Sequence, residues 1–259
     1  MISGFRGGVD SPHRACLMGL LLLLASACAP PPTGDPIRPT PEDLPTFETI
    51  SALPQDFIGE TGQAIWSELR FERFFPPNPK PQGAVWQVEK LDQRGPLQQW
   101  RNTFSTDSNA DVVTETTLGV ADLLPLALHS ESSSPSGYFL WHQEIVQEIT
   151  AAEGSLFPLS EGQVFELTTK FRHRLVDTQD RDWNRKRTYR FKILSRYESY
   201  DQSKPPVPGP IFVIERIEDL DGEKLRSLMH YSSALGYTVL IRHEYPDDTA
   251  EEKRLVEWR

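Results

Sequence analysis

Cysteine is nearly missing from this chain of 259 residues: there are two, Cys16 and Cys28, both close to the N-terminus. Everything after residue 28 therefore lacks a thiol, which excludes disulfides, thiolate catalysis and cysteine-type zinc sites from it. Other absences narrow the chemistry further. No Gly-x-Ser-x-Gly elbow, phosphate-binding glycine loop or dinucleotide fingerprint occurs. Histidines 129, 142, 173, 230 and 243 are spread singly. His142 and Glu144 share a strand face but make two ligands at best, whereas His243 and Glu244 point opposite ways, so no metal site and no cofactor are expected. His173, on an apolar parity, reads as a core histidine with a hydrogen-bond partner, and His243 as another. Positive charge is also short. The net charge is −10, and −11 beyond residue 27, which argues against general nucleic-acid binding. Beyond the first 27 residues no apolar run reaches the 18 or so that a spanning helix needs.

What is present begins with a three-part leader. Arg6, His13 and Arg14 precede the apolar run Cys16–Leu24, and the small residues Ala25, Ser26 and Ala27 lead into Cys28. A charged start, a short apolar run and a small-residue exit are the marks of a cleaved export signal. The ending Leu24-Ala25-Ser26-Ala27-Cys28 resembles the lipobox of bacterial lipoproteins, with Ala25 where leucine is commoner. The resemblance implies cleavage between Ala27 and Cys28 and a diacylglycerol on the Cys28 sulfur. One fatty chain gives only marginal anchoring, and a diacylglyceryl group supplies two. In Gram-negative members of that family an aspartate after the cysteine retains the protein in the inner membrane. Ala29 stands there in this chain, which implies an outer-membrane anchor with the body facing the periplasm. The alternative is a plain secretory signal with an Ala25-x-Ala27 cut that leaves a free thiol.

Residues 28–45 are the lipidated segment and its tether. Seven prolines fall within Ala29–Pro45, and proline fixes φ and lacks an N–H, so this piece favours extended polyproline geometry. At about 3.1 Å per residue it reaches roughly 50 Å. Residues 46–259 then form one expected domain, with a short irregular or helical lead-in over Pro54–Ile65.

Beyond the proline cluster at 76–81 the pattern has period two. Phe165, Leu167, Thr169, Phe171, His173 and Leu175 alternate with Glu166, Thr168, Lys170, Arg172 and Arg174. Tyr189, Phe191, Ile193 and Tyr197 alternate with Arg190, Lys192 and Arg196, and residues 139–149 behave similarly. One apolar and one charged face describe half-buried antiparallel strands. Further strands are expected near 84–91, 98–105, 111–118, 211–217, 225–231 and 237–245. The fold class is mostly β, an antiparallel sandwich or incomplete barrel. Leu156-Phe157-Pro158-Leu159-Ser160-Glu161-Gly162, Pro208-Gly209-Pro210-Ile211-Phe212 and Tyr231-Ser232-Ser233-Ala234-Leu235-Gly236 together resemble a group of uncharacterised β-rich periplasmic proteins. That resemblance implies a β fold and no particular activity.

One charge feature stands out. Between Lys170 and Arg196 ten lysines and arginines face three aspartates. Strand parity places Lys170, Arg172, Arg174, Arg190, Lys192 and Arg196 on the solvent face of one hairpin, with Arg181, Arg185, Lys186 and Arg187 at its tip. Such a face can contact an envelope protein or an anionic glycan or lipid, or it can simply keep a sheet soluble. Acidic runs such as Asp180-Arg181-Asp182 and Asp247-Asp248 read as solvated turns. The expected role is therefore a membrane-anchored binding or scaffolding protein, not an enzyme. A carrier of an apolar ligand in a partial barrel and a hydrolase of envelope polymers are the alternatives.

Overall fold

The computed structural model describes residues 65–78, 80–81, 85–94, 97–105, 111–133, 139–175, 183–245, 247 and 249–259. The expected leader, its expected cut between Ala27 and Cys28, the expected tether and the lead-in up to residue 64 lie outside the described residues.

Twelve strands follow one another: β1 (Glu68–Phe74), β2 (Trp86–Arg94), β3 (Leu97–Ser105), β4 (Val112–Val120), β5 (Leu124–Ser133) and β6 (Phe139–Glu153) make the first half. The second half is β7 (Val164–Leu175), β8 (Trp183–Tyr200), β9 (Val207–Leu220), β10 (Glu223–Ser232), β11 (Tyr237–Glu244) and β12 (Ala250–Trp258). Each strand pairs antiparallel with its chain neighbours, and β1 pairs with β12, so the sheet closes on itself. The expectation of mostly β structure holds, but the architecture is a closed barrel, not a sandwich or an incomplete barrel. Among the described residues there is no helix. Closure removes the two exposed edges that an open sheet must otherwise protect.

The alternation visible in the sequence becomes inside and outside. Phe165, Leu167 and Thr169 on β7 are buried and pair in register with Phe191, Tyr189 and Arg187 on β8. Outward residues between them form cross-strand ion pairs, such as Arg190 with Glu166 at 3.0 Å and Arg101 with Glu89 at 3.3 Å. Each is exposed and adds little stability. Their placement matters more, because a membrane-spanning barrel carries an apolar band on that face.

Antiparallel neighbours put alternate connections at opposite ends. One end holds the turns at 121–123, 154–163, 201–206 and 233–236, together with Trp66 and Arg259. This end is plugged. Leu123, Leu156 and Phe157 join the inner residues of β7–β10 in one apolar cluster. Trp66 and Leu235 join Leu69, Trp100, Tyr237 and Leu255 in a second. Trp66 donates its indole N–H to the Leu235 carbonyl at 2.7 Å and meets the Tyr237 ring edge-on at 5.4 Å. The backbone seals the ring there: Ser67 N–H donates to Arg259 O at 2.7 Å, and Arg259 N–H to Glu68 O at 3.0 Å. Gly119, beside a bulge between β4 and β5, lets the chain turn in closely, since a Cβ there would lie 2.6 Å from the Leu124 carbonyl oxygen.

Candidate functional site

The half of the barrel away from the plug has a different interior. Across β6, β7 and β8 several inward polar side chains bind one another. Gln147 accepts from the Tyr189 hydroxyl at 2.9 Å and from the Thr169 hydroxyl at 3.0 Å, and its own amide donates to Pro125 O at 2.8 Å. Arg187 donates to the Tyr189 hydroxyl at 3.2 Å and pairs with Glu218 at 3.3 Å. His173 is buried against Gln143 at 3.0 Å, as a core histidine should be. Burial lowers its pKa, and the Arg187 and Arg185 charges lower it further. A fully connected polar network of this kind is a rigid wall.

The opposite wall is less complete. Lys253 projects inward from β12, its ammonium 4.3 Å from the Trp86 ring centre and 4.6 Å from that of Phe71. Trp86 in turn stacks on Phe104 at 3.8 Å. Burial pushes the Lys253 pKa down to about 8, against the opposing pull of Glu115, Asp122 and Glu251. Among the described residues no hydrogen-bond acceptor or ion-pair partner reaches its ammonium. Glu115 accepts a long 3.4 Å bond from Asn102, and burial raises its pKa. Around them the Asn102 carbonyl oxygen, the Ser130 hydroxyl and the Trp86 indole N–H are buried without partners. Lys253, Glu115, Trp86 and Phe104 nevertheless keep part of their surface accessible.

A third stretch of wall runs across β9, β10 and β11, where Arg216, Ser227 and His243 are successive register partners. His243 Nδ1 and the Ser227 hydroxyl are 2.9 Å apart. Burial, helped by the nearby Arg216 and Lys253 charges and opposed by Glu251, pushes the His243 pKa down to about 4. His243 is thus a neutral imidazole at ordinary pH. Arg216 is only 9% exposed, and its Nε has no partner. Among the described residues no carboxylate pairs with it.

Within the basic span between residues 170 and 196, Lys170, Arg190, Lys192 and Arg196 are exposed, as the expected solvent face requires. The turn of this span is 176–182, outside the described residues, while Arg185, Lys186 and Arg187 belong to β8. Arg185 and Arg187 share the parity of the buried Tyr189 and Phe191. Arg185 faces Asp221 at 3.5 Å and Arg187 is tied to Glu218. Lys186, Arg190 and Lys192 take the outer parity and are exposed. Arg172 and Arg174 lie on β7 opposite Val146 and Glu144 of β6. The expected solvated hairpin tip at 185–187 is therefore corrected: this is strand, and two of its three cations follow the inward parity.

Lys253, Glu115 and Trp86, which lie together, and Arg216, which lies beside Ser227 and His243, were not singled out by sequence pattern. Arg216 left one trace, a cation continuing the parity of Phe212 and Ile214. On β12 both parities are charged, so Lys253 left none. No protein-family model, curated protein or solved structure matches this chain.

Proposed function

We propose that this chain is a lipid-anchored envelope protein that binds a small ligand inside its barrel and carries out no reaction on it. The observation that carries the reading is Lys253, a desolvated ammonium set against Phe71 and Trp86, without a hydrogen-bonded partner and not fully covered by its neighbours. A side chain built only to stabilise the barrel would be apolar here, because burying this ammonium costs more than Glu115, Asp122 and Glu251 return, as its lowered pKa records. Pockets that mix aromatic surface with a few convergent polar groups are the usual form of small-ligand sites.

An acyl-chain carrier is the weaker alternative. The apolar interior is occupied by the two side-chain clusters of the plugged half. The partly exposed inward side chains Trp86, Phe104, Glu115 and Lys253 are aromatic and charged instead. A hydrolase of envelope polymers is the less favoured reading: Ser227 lies 2.9 Å from His243 Nδ1, but Ser227 is fully buried and out of a polymer's reach. Anchoring through Cys28, outer-membrane placement and a periplasmic-facing body rest on the lipobox resemblance and on Ala29.

Two measurements test this. Native mass spectrometry of the protein purified from the envelope should show a retained small molecule that is lost on unfolding. Lipid labelling should disappear in Cys28→Ser, and a cleaved form that still sediments with membranes would refute the anchor.

A further inference from the structure

We infer that Lys253 holds a carbonyl compound as a reversible imine, with Phe71 and Trp86 flanking the linkage and Glu115 as the acid beside it. The inference rests on the binding role proposed above and names its ligand class: an aldehyde or ketone with a flat, conjugated body.

The first support is what surrounds the nitrogen. Ring faces lie on two sides of it, Phe71 at 4.6 Å and Trp86 at 4.3 Å to the ring centres. Among the described residues no acceptor binds its N–H groups. Such surroundings hold a neutral amine better than an ammonium, and burial accordingly brings the pKa down to about 8. At pH 7 about one molecule in ten then carries the free amine, against roughly one in a few thousand for an ordinary lysine. The free amine is a nucleophile, and desolvated lysines are the ones that form Schiff bases.

The second support is the charge already there. Glu115, Asp122 and Glu251 all pull on Lys253, Glu115 most strongly. The site has carboxylates of its own, so an anionic ligand would meet repulsion and a neutral electrophile would not. Glu115 also supplies what imine formation needs. Burial raises its pKa, and its one hydrogen bond among the described residues is the long 3.4 Å contact with Asn102. It therefore keeps a proton at a pH where exposed carboxyls have lost theirs.

The step balances within these two side chains. The Lys253 lone pair attacks the carbonyl carbon, and the oxygen takes up the proton shed by nitrogen to give a carbinolamine. The Glu115 carboxyl protonates that hydroxyl, water leaves, and the nitrogen lone pair closes the C=N bond. The product is an iminium with the Glu115 carboxylate as counter-ion. It keeps the positive charge, and with it the attraction to the two rings. Hydrolysis reverses every step and frees the ligand unchanged, so the role remains binding.

The third support is placement. Lys253 is the fourth residue of β12, Trp86 opens β2 and Phe104 is the last but one of β3, all towards the end away from the plug. Trp86 stacks on Phe104 at 3.8 Å, and these side chains stay partly accessible. Aromatic walls of this kind favour a flat apolar body on the carbonyl.

The test is reductive trapping on the protein purified from the envelope. It is incubated at pH 6.5 with cyanoborohydride and either 2-naphthaldehyde or propanal, digested, and its labelled lysines located by mass spectrometry. Naphthaldehyde should label Lys253 roughly tenfold or more faster than the exposed Lys186 and Lys224 of the same molecules. The Lys253 rate should saturate with aldehyde and yield to 2-naphthol, whereas propanal should show neither behaviour. Glu115→Gln should slow trapping roughly tenfold at pH 6.5 and leave it unchanged at pH 9, where the parent carboxyl is ionised and donates nothing. Borohydride given to the purified protein should lock any retained molecule onto Lys253, so that it survives unfolding. Lys253 trapped no faster than Lys186, trapping that neither saturates nor yields to naphthol, or a retained molecule still released after reduction would overturn the imine and leave the binding role standing. Failure of saturable trapping, with no retained molecule in native mass spectrometry, would remove both.

Discussion

The ammonium of Lys253 stands over the indole of Trp86, 4.3 Å from its ring centre, inside a barrel whose outer wall is covered with exposed ion pairs. The cation–π contact only partly offsets the loss of water around the charge. With its folded pKa near 8 and an ordinary value of 10.5, the native state gives up this proton before the unfolded chain does. Stability should therefore rise with pH from about 8 towards 9.5, before the tyrosines of the unfolded chain ionise. Lys253→Met should abolish most of that rise and be the more stable protein at pH 7. Urea midpoints taken across this range check both points, and an unchanged slope in the variant would contradict the assignment.

Asp122 carries the opposite sign. Its carboxylate accepts the Thr238 N–H at 2.9 Å through one oxygen while the other is buried unpaired. Burial pushes its pKa up to about 6 from 3.8. The native state holds the proton that the unfolded chain has released, so this group's contribution falls as pH climbs from about 4 to 6. Asp122→Asn keeps an acceptor for Thr238 and should be about 1–3 kcal/mol more stable than the parent at pH 7, with the difference closing below pH 4. His243 titrates oppositely in the parent, where its contribution is lost as pH falls from 6.5 towards 4. Comparing the variant with the parent by denaturant unfolding cancels that term.

Neighbouring cations on β8 should differ sharply. Lys186 is exposed on the outer parity, whereas Arg187 is half-buried and held by Glu218 and the Tyr189 hydroxyl. Arg187→Glu sets two carboxylates together in the interior and should cost about 3–5 kcal/mol. Lys186→Glu should stay within about 0.5 kcal/mol of the parent. Equal melting temperatures for the two variants would refute the inward parity of Arg187.

Trp66 closes the plugged end. Trp66→Ala removes a side chain that is 1% exposed and leaves Leu235 O without its donor. A loss of about 3–5 kcal/mol is expected. Trp66→Phe, which keeps most of the apolar contact, should lose less. Thermal unfolding of the two variants orders them.

Strand content was legible wherever the two faces differed chemically. Phe165 against Glu166, or Phe191 against Lys192, declares a half-buried strand at once. The strands that escaped the pattern are β1, β5 and β12, each for an identifiable reason. Glu251, Glu252, Lys253 and Arg254 put charge on both parities of β12, because inward Glu251 pairs with Arg73 and inward Lys253 lies over the Phe71 and Trp86 rings. Arg73 does the same on β1, and Pro125 interrupts the apolar run of β5. Closure was invisible for the same reason, since the pair that makes the ring, β1 with β12, unites two of the strands that went unrecognised. The cluster around Lys253 followed suit: Asn102 and Glu115 are register partners on adjacent strands, but Lys253 reaches Phe71 and Trp86 only once β12 pairs with β1, and spacing along the chain holds no trace of that meeting. Burial of His173 was legible, because a single strand's parity decides it.

Because every strand lies beside its chain neighbour, assembly can proceed by successive hairpins, each requiring only a short search. The exception is the seam where Glu68 meets Arg259, which joins opposite extremities of the described chain through paired backbone bonds and an ion pair. That step has the largest loop-closure entropy and must wait for the rest of the meander. A truncation as small as β12 would therefore strand β1 and β11 as open edges, converting a self-contained cylinder into a sheet prone to pair with other molecules.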